Sequence, residues 1–278
     1  MNDFKKASLV VQVVNRLSSS QREFAIELLK KHDVALGKGD VITSEALYQH
    51  LRGLQSENLD ALNRSFLDEM SSNPSRVFDW NDGLYKLFIS HRSVDKALAE
   101  ELKELLGLLG VACFVSGQDI VASELWRNTI LRALDGCDGL LALLTESFHE
   151  SKWTDQEVGY AIGKGKQIFP LEKGLAPYGL LESFQLVNKE EDGVKGLAVS
   201  LFFAIATRNS LINFTETIVQ SIESSLNYLT SSTCVAALEK IQPVEFAIKT
   251  RVLSASETNG QVGGVMGIKS RINRITTK

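Results

Sequence analysis

The residue types best suited to chemistry lie in one short segment, SKWTDQEV at residues 151–158. In a helix, Trp153 and Glu157 would be four residues apart and would lie on one face. An indole can stack on a flat cationic ring. A carboxylate near the same ligand can stabilise positive charge that develops on an attached sugar. The segment therefore suggests a site for a ligand that joins a cationic ring to a sugar.

The same residues also admit a purely structural interpretation. Thr154 and Glu157 have the spacing of a capping box, with Thr154 at the N-cap and Glu157 three residues later. Trp153 and Val158 would then form the hydrophobic staple that accompanies such a box. Spacing alone leaves both interpretations open.

Other kinds of chemistry find little support in the chain. The glycine-rich segment GYAIGKG lacks the spacing and the Ser or Thr of a phosphate-binding loop. Cys113 and Cys137 lie within apolar runs, where cysteine behaves as a small hydrophobic residue. The four histidines and three cysteines are scattered, without the spacing of a metal site. We therefore expect neither a cysteine nucleophile nor a bound metal.

The charge balance argues against nucleic acid as the main partner. The chain carries 30 basic and 34 acidic residues, for a net charge of −4. The last thirty residues are nevertheless basic, with Lys249, Arg251, Lys269, Arg271, Arg274 and Lys278. Two interpretations are open here: a solvated helix face, or a contact with nucleic acid or a partner protein.

Short apolar runs alternate with helical patterns around the SKWTDQEV segment. The runs are YKLFIS, VACFV, CDGLLALLT and QIFPLEKG, with FQLVN as a candidate fifth. Strands that alternate with helices favour a parallel sheet covered on both faces. Such a sheet binds ligands at the carboxyl ends of its strands. That rule points to residues 90–92, residues 116–118, Thr145 and Glu146.

Helical patterns flank this region on both sides, over residues 1–80 and 212–278. The apolar run LAVSLFFAIA at residues 197–206 is too short for a membrane span, since a span takes roughly 20 residues. The N-terminal apolar run has helical spacing and no small-residue cleavage site, which indicates an amphipathic helix rather than a signal peptide. We therefore expect a soluble, cytoplasmic protein without a membrane partner.

Four segments together resemble the Toll/interleukin-1 receptor (TIR) domain family. YKLFISHRSVDK, VSGQDIVASELW, CDGLLALLT and SKWTDQEVGYAI follow one another in the order seen in that family. The resemblance is close to bacterial TIR proteins and covers residues 83–207. It implies an α/β fold with a flavodoxin-like sheet of five parallel strands, placed between the helical regions at residues 1–80 and 212–278.

The resemblance also implies an activity and a site. Many bacterial and plant TIR domains cleave NAD+ at the nicotinamide–ribose bond, so NAD+ would be a substrate and no other cofactor is expected. Glu157 matches the essential glutamate of the family, and Trp153 matches the tryptophan of the same segment. Arg92 would pair with the diphosphate. The dinucleotide cleft would be lined from the loops after the first two strands, by Phe88, Ser90, His91, Arg92, Gly117, Gln118 and Asp119.

The expected function is therefore that of an NAD+ hydrolase, or of a cyclase that makes a cyclic ADP-ribose signal, in bacterial anti-phage defence. Since the family generally becomes active by assembly, we expect self-association through TIR domains, control by the flanking helices, and an effector or trigger protein as partner. The alternative is a non-catalytic adaptor that uses the same surfaces for homotypic TIR contacts, because a fold does not guarantee an activity. A nucleotide-binding sensor or nucleoside-phosphate transferase is a third interpretation.

Overall fold

The structure is a computed structural model that describes residues 22–34, 44–72, 83–115, 124–187 and 193–277, together with residues 6, 9, 10, 13, 14 and 80. The chain divides into two compact units. The first comprises Met1–Asp79 and Gly117–Ala133, and the second comprises Trp80–Ser116 and Leu134–Lys278.

The first unit contains the helices α1 (Arg22–Lys31), α2 (Ser44–Leu51) and α3 (Ser56–Ser72). Apolar residues recur along them at helical spacing and meet in a core of their own. In this core the rings of Phe24 and Phe66 lie 5.6 Å apart. The described residues in 22–72 are thus mainly helical, as the pattern predicts.

The second unit is built on a parallel sheet. Its strands are β1 (Tyr85–Ser90), β2 (Val111–Val115), β3 (Gly139–Thr145) and β4 (Gln167–Lys173), in the order β2-β1-β3-β4. Every residue of β3 is buried, as expected for a strand covered on both faces. The helices that follow these strands along the chain are α4 (Lys96–Gly107), α5 (Glu124–Gly136), α6 (Thr154–Gly163) and α7 (Gly193–Arg208). Of these, α5 belongs to the first unit as far as Ala133. The predicted α/β architecture is confirmed.

The predicted fifth strand, FQLVN, is absent from the sheet as far as the described residues go. A short 3-10 helix, Gly179–Ser183, ends just before it. The Val187 N–H donates to the Pro170 carbonyl at the edge of β4, 2.9 Å away, but no ladder develops over residues 184–187. One backbone bond is too little to make a strand, so four strands are established.

The helices after α7 share the core of the sheet. They are α8 (Thr215–Glu223), α9 (Tyr228–Lys240), α10 (Phe246–Thr258), α11 (Gly260–Gly263) and α12 (Ile268–Arg274). The ring of Phe214 meets that of Phe202 in α7 edge to face, with centroids 5.2 Å apart. The Ser221 hydroxyl donates to the Leu108 carbonyl at 2.8 Å. Residues 212–277 therefore pack as part of the same unit as the sheet.

Several basic side chains near the C-terminus have partners inside these helices. Arg251 pairs with Glu216 and Glu223, at 2.8 and 2.7 Å. Arg271 pairs with Glu239 at 2.6 Å. Such pairs suit the interpretation of a solvated helix face, whereas Lys278 lies outside the described residues.

Within the described ranges, none of the helices combines the length and the apolar character that crossing a bilayer requires. The apolar run in α7 is instead buried, with Leu201, Phe202 and Ile205 fully covered.

Candidate functional site

The site lies at the carboxyl edge of the sheet, between β1 and β3. β1 is flanked by β2 on one side and by β3 on the other, so the winding direction reverses at this point. In doubly wound sheets, ligands bind in the crevice outside the strand ends at such a switch point. Ser90 is the last residue of β1 and Thr145 is the last residue of β3, as the sequence predicts.

Glu157 is placed at this edge by the first turn of α6. The Thr154 hydroxyl donates to the Phe148 carbonyl at 2.7 Å, and this bond ties the start of α6 to the turn that follows β3. Glu157 is 2% exposed, and its Oε2 accepts a hydrogen bond from the Ser90 hydroxyl at 2.6 Å. Its Oε1 has no hydrogen-bond partner among the described residues. One oxygen is thus held by the end of β1, and the other keeps its lone pairs.

Burial changes the acidity of this carboxyl group. It raises the pKa of Glu157 to about 7, because the charged form loses its hydration. The Ser90 hydrogen bond favours the charged form and lowers the pKa, but its effect is the smaller one. Near neutral pH the carboxyl group is therefore poised between its two forms, a property that is common at functional sites.

The capping-box interpretation of this segment is wrong. α6 begins at Thr154, and Trp153, not Thr154, occupies the N-cap position. The Thr154 hydroxyl and the Glu157 carboxylate, which the box would use on backbone N–H groups, bond to Phe148 and Ser90 instead. The spacing suggested a capping box, but the Thr154 and Glu157 side chains form hydrogen bonds with residues that are distant from the helix N-terminus in sequence or outside the helix.

Trp153 is half-buried and lies one helical turn before Glu157. The Glu157 N–H donates to the Trp153 carbonyl at 2.8 Å, which is the first turn of hydrogen bonding into α6. The Trp153 N–H donates to the Ser151 hydroxyl at 3.2 Å, which fixes the entry of the chain into the helix. Trp153 thus lies at the N-terminal end of the helix that carries Glu157.

Two more of the predicted cleft residues, Phe88 within β1 and His91 just after it, are completely buried. Phe88 stacks on Phe114 of the neighbouring strand, with centroids 5.1 Å apart and planes 29° apart, so its ring is part of the sheet packing. His91 has its Nδ1 3.1 Å from the Ile89 carbonyl. Burial lowers the pKa of His91, so its ring is neutral at pH 7. Direct ligand contact by Phe88 or His91 stays a prediction.

Arg92 is turned toward an acidic partner that the sequence did not single out. Its Nη1 donates to Oε2 of Glu150, which ends the 3-10 helix Phe148–Glu150 after β3. Nearby, the Thr145 hydroxyl donates to the Asp95 carboxylate at 2.7 Å. Two side-chain contacts therefore join the loop after β1 to the end of β3. No spacing rule could have found them, because only the fold brings these loops together.

A second cluster borders the same edge. The Tyr178 hydroxyl, from the loop after β4, donates to the Asp155 carboxylate at 2.5 Å. The rings of Tyr178 and His149 meet edge to face, with centroids 6.3 Å apart. This cluster connects the loop after β4 to the start of α6.

The remaining predicted residues, Gly117, Gln118 and Asp119, lie outside the described residues, so their roles stay predictions. Among the residues that the structure does describe, no three His, Cys, Asp or Glu side chains come together as a metal site would require.

A comparison with protein-family models matches residues 87–198 to the family described as "TIR domain". The matched span runs from β1 into α7, and it contains Ser90, Arg92, Trp153 and Glu157. A comparison with curated proteins gave no match.

Proposed function

Because residues 87–198 form a TIR domain, we propose that this protein hydrolyses NAD+ at the bond between nicotinamide and ribose. The products are nicotinamide and ADP-ribose. The observation that carries the proposal is the Glu157 carboxyl group, which is buried at the switch point of the sheet with Oε2 held by Ser90 and Oε1 unpartnered among the described residues.

The main requirement of this reaction is one negative charge close to the ribose. When the C–N bond breaks, its electron pair leaves with nicotinamide, which departs as a neutral pyridine. The ribose is left as a cation that resembles the transition state of glycoside hydrolysis. Water then bonds to the anomeric carbon and loses its proton, which completes ADP-ribose. Glu157 stabilises the cation electrostatically, and this effect is strong in a dry site.

Ser90 holds the carboxylate for this task. Its hydroxyl donates to Oε2 and favours the ionised form of Glu157. Once the site opens, Oε1 can accept from a ribose hydroxyl or face the cation itself. Trp153 lies one turn away and would stack on the nicotinamide ring.

The remaining parts of the cleft follow from the position of the loops. Arg92 supplies a guanidinium for the diphosphate, which suits its fork of donors. A role of Gly117 and Asp119 in lining the cleft stays a prediction from the resemblance. Capture of the ribosyl cation by the adenine ring instead of water would give a cyclic product. We extend the proposal, by resemblance, to self-association through TIR domains and to a role in bacterial anti-phage defence.

One observation favours the non-catalytic adaptor as a second candidate. Glu157 is only 2% exposed, so a substrate can reach its carboxylate only after the site opens. A TIR domain that never opened this position would bind its partners without turning over NAD+.

Nicotinamide release separates the two functions. Purified protein is incubated with NAD+ over a range of protein concentrations, because assembly is expected to favour activity. We expect Glu157→Gln to lose at least a hundredfold in rate, the order of magnitude lost when one transition-state contact is removed. Glu182→Gln, which removes an exposed acid from the loop after β4, is the matched control and should keep the wild-type rate. A folded wild type without release at any concentration would favour the adaptor.

A further inference from the structure

Arg92 has the positive charge that the diphosphate of a dinucleotide would need, but its guanidinium is paired with Glu150. We propose that Glu150 is a displaceable counter-ion of Arg92, and that it sets how tightly this site takes a ligand with a diphosphate group. The proposal rests on the proposed function only in its choice of ligand.

Both members of the pair lie at the switch point of the sheet. Arg92 follows β1 by two residues, and Glu150 ends the 3-10 helix after β3. The Arg92 Nη1 donates to Oε2 of Glu150. The guanidinium of Arg92 is thus neutralised by a carboxylate from the segment that follows the adjacent strand.

The backbones on both sides are fixed, so only side chains need to move. The Asp95 N–H donates to the Arg92 carbonyl at 2.9 Å, and the Asp95 carboxylate is held by Thr145 at 2.7 Å. On the other side, Phe148 is fully buried, and its carbonyl accepts the bond from Thr154. These contacts keep Arg92 and Glu150 opposite each other while their side chains exchange partners.

A ligand can displace Glu150 from Arg92 at little cost in free energy. The side chains of Arg92 and Glu150 are 28% and 55% exposed, and partly exposed ion pairs of this kind contribute little to stability. A diphosphate offers more negative charge than one carboxylate and can bond both arms of the guanidinium. Once displaced, Glu150 can turn into solvent, although its charge still opposes the arriving phosphates. Glu150 therefore lowers the affinity by competition and by repulsion.

Binding of ADP to the full chain, followed by titration calorimetry, tests this directly. We expect Glu150→Gln to tighten ADP binding about two- to fivefold, the range that a partly exposed ion pair can account for. Arg92→Gln should weaken binding, and in the double variant the gain from Glu150→Gln should vanish. Glu101→Gln, which removes an exposed acid from α4, should bind ADP as the wild type does.

Several outcomes would overturn the proposal: unchanged or weaker ADP binding in Glu150→Gln, the same gain in the Arg92→Gln background, or no ADP binding by any variant. Glu150→Ala provides a second variant, and thermal melts establish that each protein is folded. If NAD+ is hydrolysed, Glu150→Gln should lower KM with kcat unchanged. Hydrolysis without that change would refute the counter-ion alone. The expected ADP pattern without hydrolysis in any variant would instead refute only the proposed function.

Discussion

At the level of single residues, the proposed activity depends on the burial and ionisation of the Glu157 carboxyl group. Glu157 is buried, bonded to Ser90 through Oε2, and titrates near neutrality. A buried carboxylate that lacks a countercharge destabilises the fold when it is ionised. Residues held in such a state are characteristic of functional sites, and two consequences can be measured.

The rate of nicotinamide release should depend on pH through Glu157. Because burial raises the pKa of Glu157 to about 7, the catalytic carboxylate is the minor form below that pH and the major form above it. We expect the rate at pH 6 to be roughly a tenth of the plateau above pH 8. Ser90→Ala removes the bond that favours the charged form, so the midpoint of the profile should move to higher pH. An identical profile in wild type and Ser90→Ala would contradict this role of Ser90.

The stability of the protein should depend on pH in the opposite direction to the rate and should fall as pH rises. The pKa of Glu157 is higher in the folded chain than in the unfolded chain, so its contribution to stability is complete below pH 4.5 and is lost as pH rises through about 7. Glu157→Gln cannot ionise and avoids that loss. Between pH 5 and pH 8 the variant should gain on the order of 2 kcal/mol relative to wild type in the free energy of unfolding. Denaturant titrations at the two pH values measure this gain, and a difference that does not change with pH would refute it.

The sequence could identify some of these residues but not their partners. The spacing of Trp153 and Glu157, and the strand end at Ser90, pointed to the site from local pattern. The Arg92–Glu150 pair could not be predicted, because 58 residues separate its members. The apolar run YKLFIS indicated a buried strand, but it could not show that the ring of Phe88 packs on Phe114, because an apolar strand residue beside a cleft and one beneath it have the same sequence pattern.

At the level of secondary-structure elements, the strands that carry the site are positioned by a close contact between neighbouring strands. β3 begins at Gly139, where an added Cβ would lie 2.3 Å from the Tyr85 hydroxyl and 2.9 Å from the Gln167 carbonyl. Glycine at this position lets β3 lie against β1 and β4. The apolar runs were sufficient to predict β1 to β4. They were not sufficient for the fifth strand, because strand formation at a sheet edge depends on backbone pairing as well as on apolar character.

A methyl group at Gly139 should therefore disturb the sheet. We expect Gly139→Ala to lower the free energy of unfolding by about 1–3 kcal/mol, as overpacking of a core usually does. Gly159→Ala in α6 is the matched control, because nothing lies within 4 Å of its added Cβ. The control should stabilise the protein by up to about 1 kcal/mol through helix propensity. Equal thermal melts for the two variants would contradict this account of β3.

At the level of the whole molecule, the sheet and the helices after α7 belong to one compact unit. Phe214, Ile218 and Ile222 of the C-terminal region belong to the same buried cluster as Leu102 and Leu106 of α4. The helical pattern of residues 212–278 suggested a region of its own, because helical periodicity shows which face is apolar but not which neighbour covers it. A role of these helices in controlling assembly stays a prediction.

Removing the C-terminal helices should therefore unfold the second unit. A chain that ends at Asn209 would expose the apolar surface of α7 and α4, and we expect it to aggregate or to lose its cooperative melt. Phe214→Ala, which deletes one buried ring, should cost about 3–5 kcal/mol in the free energy of unfolding. A soluble truncated chain with a wild-type melting temperature would contradict this, because the chain up to Asn209 would then fold without the C-terminal helices.

The most direct test of the central claim is nicotinamide release from NAD+ at pH 8 by wild type and Glu157→Gln at equal, high protein concentration. The account predicts steady release by the wild type and loss of at least a hundredfold in a variant that is folded and no less stable. Release at the wild-type rate by Glu157→Gln would contradict it, because hydrolysis would then not depend on the buried carboxylate at the end of β1.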